Sequence, residues 1–363
     1  MRLLILLCIL PVITWGQTSL QNQVQIAIDV ESAEAICRLL DQEKADTVQI
    51  GQVAALYGNQ LLIQKVKGYS GSGEDVFRNT LKEIIETGTV KGRDDYNWKL
   101  VKSKLPEIKQ LLAYISSDKD KFLQEVTALI QPYTPPGLQA EAKACFLAGG
   151  GSLGFTIGDD PTFNVALQKI GNDLEGLKYL VAHELYHTLQ DVGQRSRRYQ
   201  SREKEFSYQQ KAAYYICYNL WAEGIATLVG DMSVLRNPKG FSKEQADQFR
   251  KNRERRYQNF QLLEALLYRQ YNDSTMDFSE TYNIAFTTAF DETSYFAGYE
   301  MAKKIAAHRG DQAIAAILLK DPIRFISDYI DLYKSRPDDK TFIRFSPSIE
   351  SIVDKLLLLE NKL

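Results

Sequence analysis

The sequence predicts a mainly α-helical protein with a small β-sheet (α+β), and three observations carry that expectation. Apolar residues recur at three- and four-residue spacing through most of the chain before Pro132 and after Gly230. Short runs of strand character, punctuated by glycine and aspartate, cluster between Ala144 and Leu167. A hydrophobic content of 44% over 363 residues is ample for a substantial core.

Met1-Arg2, the apolar run 3–15 and the small residue Gly16 read as a signal peptide (1–16) cleaved before Gln17. The mature protein is therefore expected to be exported, periplasmic or extracellular, with no stable membrane span. Residues 25–29 suit a strand or the lead into a helix. Helical periodicity then dominates at 33–42, 47–66, 74–87, 98–116 and 119–130, with a loop at 68–73. The stretch PYTPPG at 132–137 is the best domain boundary, which makes 17–136 a helical N-terminal region placed to cap a cleft.

The next unit, 137–232, opens with candidate strands at 144–148, 154–158 and 163–167. Asp159, Asp160 and Pro161 separate the last two. Gly149-Gly150-Gly151 is not a phosphate loop, because no Gly-Lys-Ser/Thr follows it. From 172 to 192 a helix is expected, with Asn172 or Asp173 as its N-cap and Gly193 as its stop. A second helix spans 212–230. After it, 233–363 forms a helical closing region with patterns at 243–271, 293–306, 311–320, 322–334 and 348–362.

The helix at 172–192 carries the chemistry. His183-Glu184-Leu185-Tyr186-His187 spells His-Glu-x-x-His, and the whole chain has only three histidines. Side chains four apart share one helical face, so both imidazoles can close on one Zn²⁺ with Glu184 beside them as general base. A third protein ligand is needed. Glu223 is the only charged residue between Ala212 and Gly230, and burying it requires a compensating cation, either a Lys or Arg or a metal. His₂Glu is a recognised catalytic zinc set. Asn219, Glu223, two glycines and four aromatics make that run a packed internal helix rather than a membrane span.

With HELYH at 183–187 and WAEGIAT around Glu223, the chain resembles the gluzincin branch of the zinc metallopeptidases, most closely a bacterial family of zinc-dependent peptidases with unassigned substrate. The likeness is strongest between Ala144 and Ala306. It implies a gluzincin-like core in which His183, His187 and Glu223 hold Zn²⁺ and Glu184 is the catalytic base. Relatives of the thermolysin type carry an acid four residues after the third ligand to support a histidine. Thr227 stands there in this chain, and its hydroxyl is a weaker substitute. The resemblance also implies an edge strand that binds extended peptide, and residues 163–167 are similar in position to it. In TSYFAGYEMAKKIA, Tyr295 or Tyr299 resembles the oxyanion-stabilising donor of such enzymes. His308, more than three helical turns beyond Tyr295, is expected to serve as a favourable charge at a helix C-terminus.

The expected activity is hydrolysis of peptide bonds in a peptide or protein substrate. The alternative is a catalytically silent, metal-binding peptidase-like module. No Gly-x-Ser-x-Gly elbow offers a rival nucleophile. A net charge of −2 gives no reason to invoke nucleic acid. Nothing in the sequence fixes the oligomeric state. Cys8 lies in the apolar leader, and Cys37, Cys145 and Cys217 are expected to be buried free thiols, three being too few for a disulfide framework.

Overall fold

The computed structural model describes residues 23–158, 160–197 and 201–363. The expected signal peptide, Cys8 and Asp159 lie outside the described residues. The chain opens with β1 (Gln23–Asp29), followed by α1 (Glu31–Leu40), α2 (Thr47–Ala54), α3 (Tyr57–Ser70), α4 (Glu74–Thr87), α5 (Trp98–Ser117) and α6 (Lys119–Ile130). The middle contains β2 (Gln139–Leu147), β3 (Gly154–Ile157), β4 (Asp160–Ala166), the short α7 (Leu167–Ile170), α8 (Leu174–Ser196) and α9 (Tyr208–Val229). The last part is helical: α10 (Phe241–Glu254), α11 (Arg256–Asn272), α12 (Phe278–Phe286), α13 (Thr293–Arg309), α14 (Asp311–Leu318), α15 (Ile323–Lys334) and α16 (Pro347–Leu356). The protein is thus mainly α with one small mixed sheet. Among the described residues no helix is long and apolar enough to cross a membrane.

The sheet order is β1-β2-β4-β3. β1 runs parallel to β2 and β2 parallel to β4, while β3 lies antiparallel to β4. This corrects the expectation for residues 163–167. β4 is paired on both sides and its Asn164 is fully buried. The edge on this side of the sheet is β3, because the chain doubles back at Gly158 (φ 52°) and sets β3 outside β4. Residues 25–29 are a strand, not a helix lead-in. β1 precedes Pro132–Gly137 and β2 follows it, yet the two pair, and one hydrophobic core runs from Ile28 to Leu359.

Two long periodic stretches are each broken in two. Residues 47–66 divide where Leu56 takes extended backbone (φ −63°, ψ 145°). Residues 243–271 divide at Arg255, whose guanidinium reaches Asn252 Oδ1 and Asp291 Oδ2. Asp173 caps α8, accepting from the Gly176 backbone at 3.0 Å and, from α10, the Ser242 backbone at 2.6 Å. α8 does not stop at Gly193. It runs three residues further, and Gly193 instead makes room for α14, since a Cβ there would lie 2.1 Å from Leu318 Cδ2. A capping box of Ser207 and Gln210 starts α9.

The position of α13 rests on a second glycine contact. A Cβ on Gly224 of α9 would come within 2.5 Å of the Gly298 backbone, and one on Gly298 within 2.5 Å of the Leu220 carbonyl. Only two bare backbones cross this closely. The crossing brings the turn of α13 that carries Tyr295 against the turn of α9 that carries Glu223.

Candidate metal centre

α8 sets His183 and His187 one turn apart, with ring centroids 5.1 Å from each other. α9 packs alongside and delivers Glu223, whose Oε2 lies 3.3 Å from His187 Nε2 and 3.6 Å from His183 Nε2. One ligand atom from each of the three falls within 4.8 Å of the others. The Lys or Arg that would make Glu223 an ordinary buried ion pair is absent among the described residues, where its ionic neighbours are the two imidazoles. Burial pushes the Glu223 carboxyl up, but the imidazoles prevail and hold it well below the usual carboxylate range. Burial pulls the His187 imidazole down, and Glu223 overrides it, taking the group to about 9. Two nitrogens and a carboxylate oxygen, half-buried and converging, suit a zinc ion.

His187 is oriented from its far side. Its Nδ1 lies 2.8 Å from Gln190 Oε1, and Gln190 Nε2 donates to the Ala222 carbonyl at 3.0 Å. The second bond fixes which end of the amide faces the ring. Nδ1 must therefore carry a proton and donate, so Nε2 is the nitrogen that a metal would take, displacing the proton that Glu223 otherwise holds there. Gln190 was not foreseen, although its position one turn after His187 was available in the sequence. Thr227 does not take the supporting role expected of it, because its buried hydroxyl has no hydrogen-bond partner among the described residues.

Glu184 lies where two lobes of a cleft meet. The larger, of about 930 Å³, extends past His187 along the edge strand β3 to Tyr282 of α12. The smaller, of about 380 Å³, extends past His183 to Tyr295, Phe249 and Glu292. Burial pushes the Glu184 carboxyl above its usual value, with the imidazoles opposing and Glu223 adding to the rise. Among the described residues of 17–136 only Lys65 reaches the lining, so 23–136 does not form the expected cap. The walls come instead from the sheet edge and from α10, α12 and α13.

The two candidate tyrosines part company. Tyr295 lines the smaller lobe with Glu184 and both histidines, and burial first, then the nearby Glu223 and Glu292, keep its hydroxyl protonated. Tyr299 packs against Phe249 and donates its hydroxyl to Asp231 Oδ2 at 2.6 Å, so the structure does not bring it to the cluster. His308 sits in the last turn of α13, stacked on Phe342 and 3.8 Å from Asp339. Cys37, Cys145 and Cys217 are buried and free.

Comparison with known families bears directly on this arrangement. Residues 50–338 match the family described as "Putative zinc dependent peptidase (DUF5700)". The chain belongs to this family. The match spans α3 to α15, so it includes the metal cluster, both cleft lobes and three of the four strands. No curated protein and no solved structure matches the chain. Glu292 and Tyr282, both on the cleft walls, had no signal in the sequence that marked them.

Proposed function

We propose that this protein is a zinc-dependent peptidase in which Glu184 is the general base and Tyr295 the oxyanion donor. One observation carries the reading. The ligand atoms of His183, His187 and Glu223 converge within 4.8 Å, and Glu184 lines the cleft on both sides of them. Family membership supports it.

His183, His187 and Glu223 are the residues that would hold Zn²⁺, which when bound supplies Lewis acidity and a water of lowered pKa. Glu184 accepts a proton from the attacking water as its oxygen bonds to the scissile carbonyl carbon. It then delivers a proton to the amide nitrogen as the C–N bond breaks. Its raised affinity for protons suits the second transfer. Tyr295 donates a hydrogen bond to the carbonyl oxygen as negative charge develops on it. The open edge of β3 runs along the larger lobe, so extended peptide can add to the sheet there through backbone hydrogen bonds.

The test is Glu184→Gln, which keeps shape and removes the base. Zinc content by mass spectrometry is expected to stay stoichiometric, while chelator-sensitive cleavage of a broad peptide library falls by about 10²–10⁴-fold. A fully active variant overturns the assignment. A wild-type protein that loads zinc and cleaves nothing makes the molecule a binding module.

A further inference from the structure

Asp291 (φ 58°) and Glu292 (φ 53°) both hold left-handed backbone immediately before α13, a conformation that L side chains rarely adopt once, let alone in succession. The pair is pinned from several sides. The Glu292 N–H donates to the Thr287 carbonyl at 3.0 Å, and Lys251 and Arg255 hold Asp291 Oδ2 at 2.8 and 2.9 Å. The turn so fixed puts Glu292 on the wall of the smaller lobe. There its carboxylate accepts from Gln248 Nε2 at 2.9 Å and forms no ion pair among the described residues.

The rest of that lobe is mostly apolar, with Leu180, Met232, Phe241, Phe249 and Phe296 on its walls. Its other charged groups are His183, Glu184, His187 and Glu223, all taken up by the chemistry proposed above. Among the described residues Glu292 is the one charge of that lobe left over. A half-buried carboxylate lacking a cation is costly, and a ligand that brings one relieves the cost. An acidic ligand would instead meet both Glu292 and Glu184. At about 380 Å³ the lobe falls within the ~300–1,000 Å³ common for ligand pockets.

We propose that Glu292 is a specificity residue that receives a cationic nitrogen of the peptide substrate, while the aromatic and aliphatic walls hold the adjoining carbon chain. The nitrogen is a Lys or Arg side chain or the N-terminal ammonium, seated next to the bond that Glu184 serves. This rests on the peptidase reading.

The test reads binding, so it does not depend on turnover. Zinc-loaded Glu184→Gln protein, with and without Glu292→Gln, is titrated by calorimetry with three probes: acetyl-Ala-Lys-Ala-amide, acetyl-Ala-norleucine-Ala-amide and norleucine-Ala-amide with a free N-terminus. At least one cationic probe is expected to bind about tenfold tighter than the acetylated norleucine peptide. The preference is expected to vanish with Glu292→Gln and to survive in part with Glu292→Asp, at unchanged zinc stoichiometry. Which cationic probe wins identifies the source of the charge. The proposal is overturned if neither gains over the neutral peptide, or if the gain persists without Glu292. It is also overturned if Glu292→Gln loses zinc, which would make Glu292 a support for His183. Each of these results leaves the peptidase reading standing, and an inactive wild type leaves the binding comparison readable.

Discussion

Gly298→Ala tests whether the bare-backbone crossing of α9 and α13 sets the position of Tyr295. The new methyl would lie 2.5 Å from the Leu220 carbonyl and 2.8 Å from Gly224 Cα, against 3.4 Å or more for an ordinary contact. Both obstacles are backbone, so no side chain can swing away and the helices must separate by about 0.9 Å. Overpacking of this kind costs about 1–3 kcal/mol. Alanine returns about 1 kcal/mol through its helix propensity, leaving a net loss of roughly 0–2 kcal/mol. On the proposed role of Tyr295, catalysis should suffer more than stability, because Tyr295 sits one turn from the crossing and moves with α13. A displacement near 1 Å at a catalytic group costs about 100-fold. Thermal unfolding, zinc content, kcat and KM would be measured on one preparation. The expected result is a modestly lowered Tm, full zinc and a collapsed kcat. Wild-type Tm together with wild-type kcat would refute the argument. Gly224→Ala should behave alike, and the double variant should cost less than the sum, since both methyls contest one contact.

Gln190→Ala removes the group that orients His187 and is expected to weaken zinc affinity by about 10–100-fold in competition with a chromogenic chelator. Unchanged affinity would show that the 2.8 Å contact is incidental. Burial works against the charged form of Asp160, but hydrogen bonds from the Tyr57 hydroxyl and Thr162 hold its carboxyl below the ordinary 3.8. Its contribution to stability is therefore present above that pH and lost as pH falls through the folded-state value. Tyr57→Phe should cost more in urea midpoint at pH 7 than at pH 3, and an equal cost at both would contradict this. Burial, the leading cause in each case, pushes the Cys37, Cys145 and Cys217 thiols up to about 12. Native protein at pH 8 should resist thiol reagents and react only in denaturant. Rapid native labelling would show the thiols to be accessible.

The sequence displayed those features whose signal is local. The apolar stripes of α4 and α6 gave their bounds as found, and the clustering of His183, His187 and Glu223 followed from helical spacing and from one carboxylate in an apolar run. What was hidden depends on partners distant in the chain. The break at Leu56 has no glycine or proline to announce it, and the break at Arg255 depends on Asp291, 36 positions later. Strand order cannot be read from alternation, so the edge expected at residues 163–167 belongs to β3. Tyr295 and Tyr299 stand one turn apart and look equivalent in sequence. Asp231 and Phe249 separate them by claiming the second. The left-handed pair at 291–292 is likewise set by cations on α10 and its C-terminal end, not by its own residue types.

The pairing of β1 with β2 bears on how the chain comes to be assembled. Gln23 finds its neighbour at Gln139, so the first strand must wait, unsatisfied along one side, until roughly a hundred further residues have been made and gathered up. Six helices fill that interval and can condense early from nearby contacts. Its pairing covers the edge of β2, which would otherwise invite other molecules. Deleting β1 is thus a sharper insult than its distance from the His183, His187 and Glu223 cluster suggests, and aggregation rather than lost chemistry is the phenotype to look for.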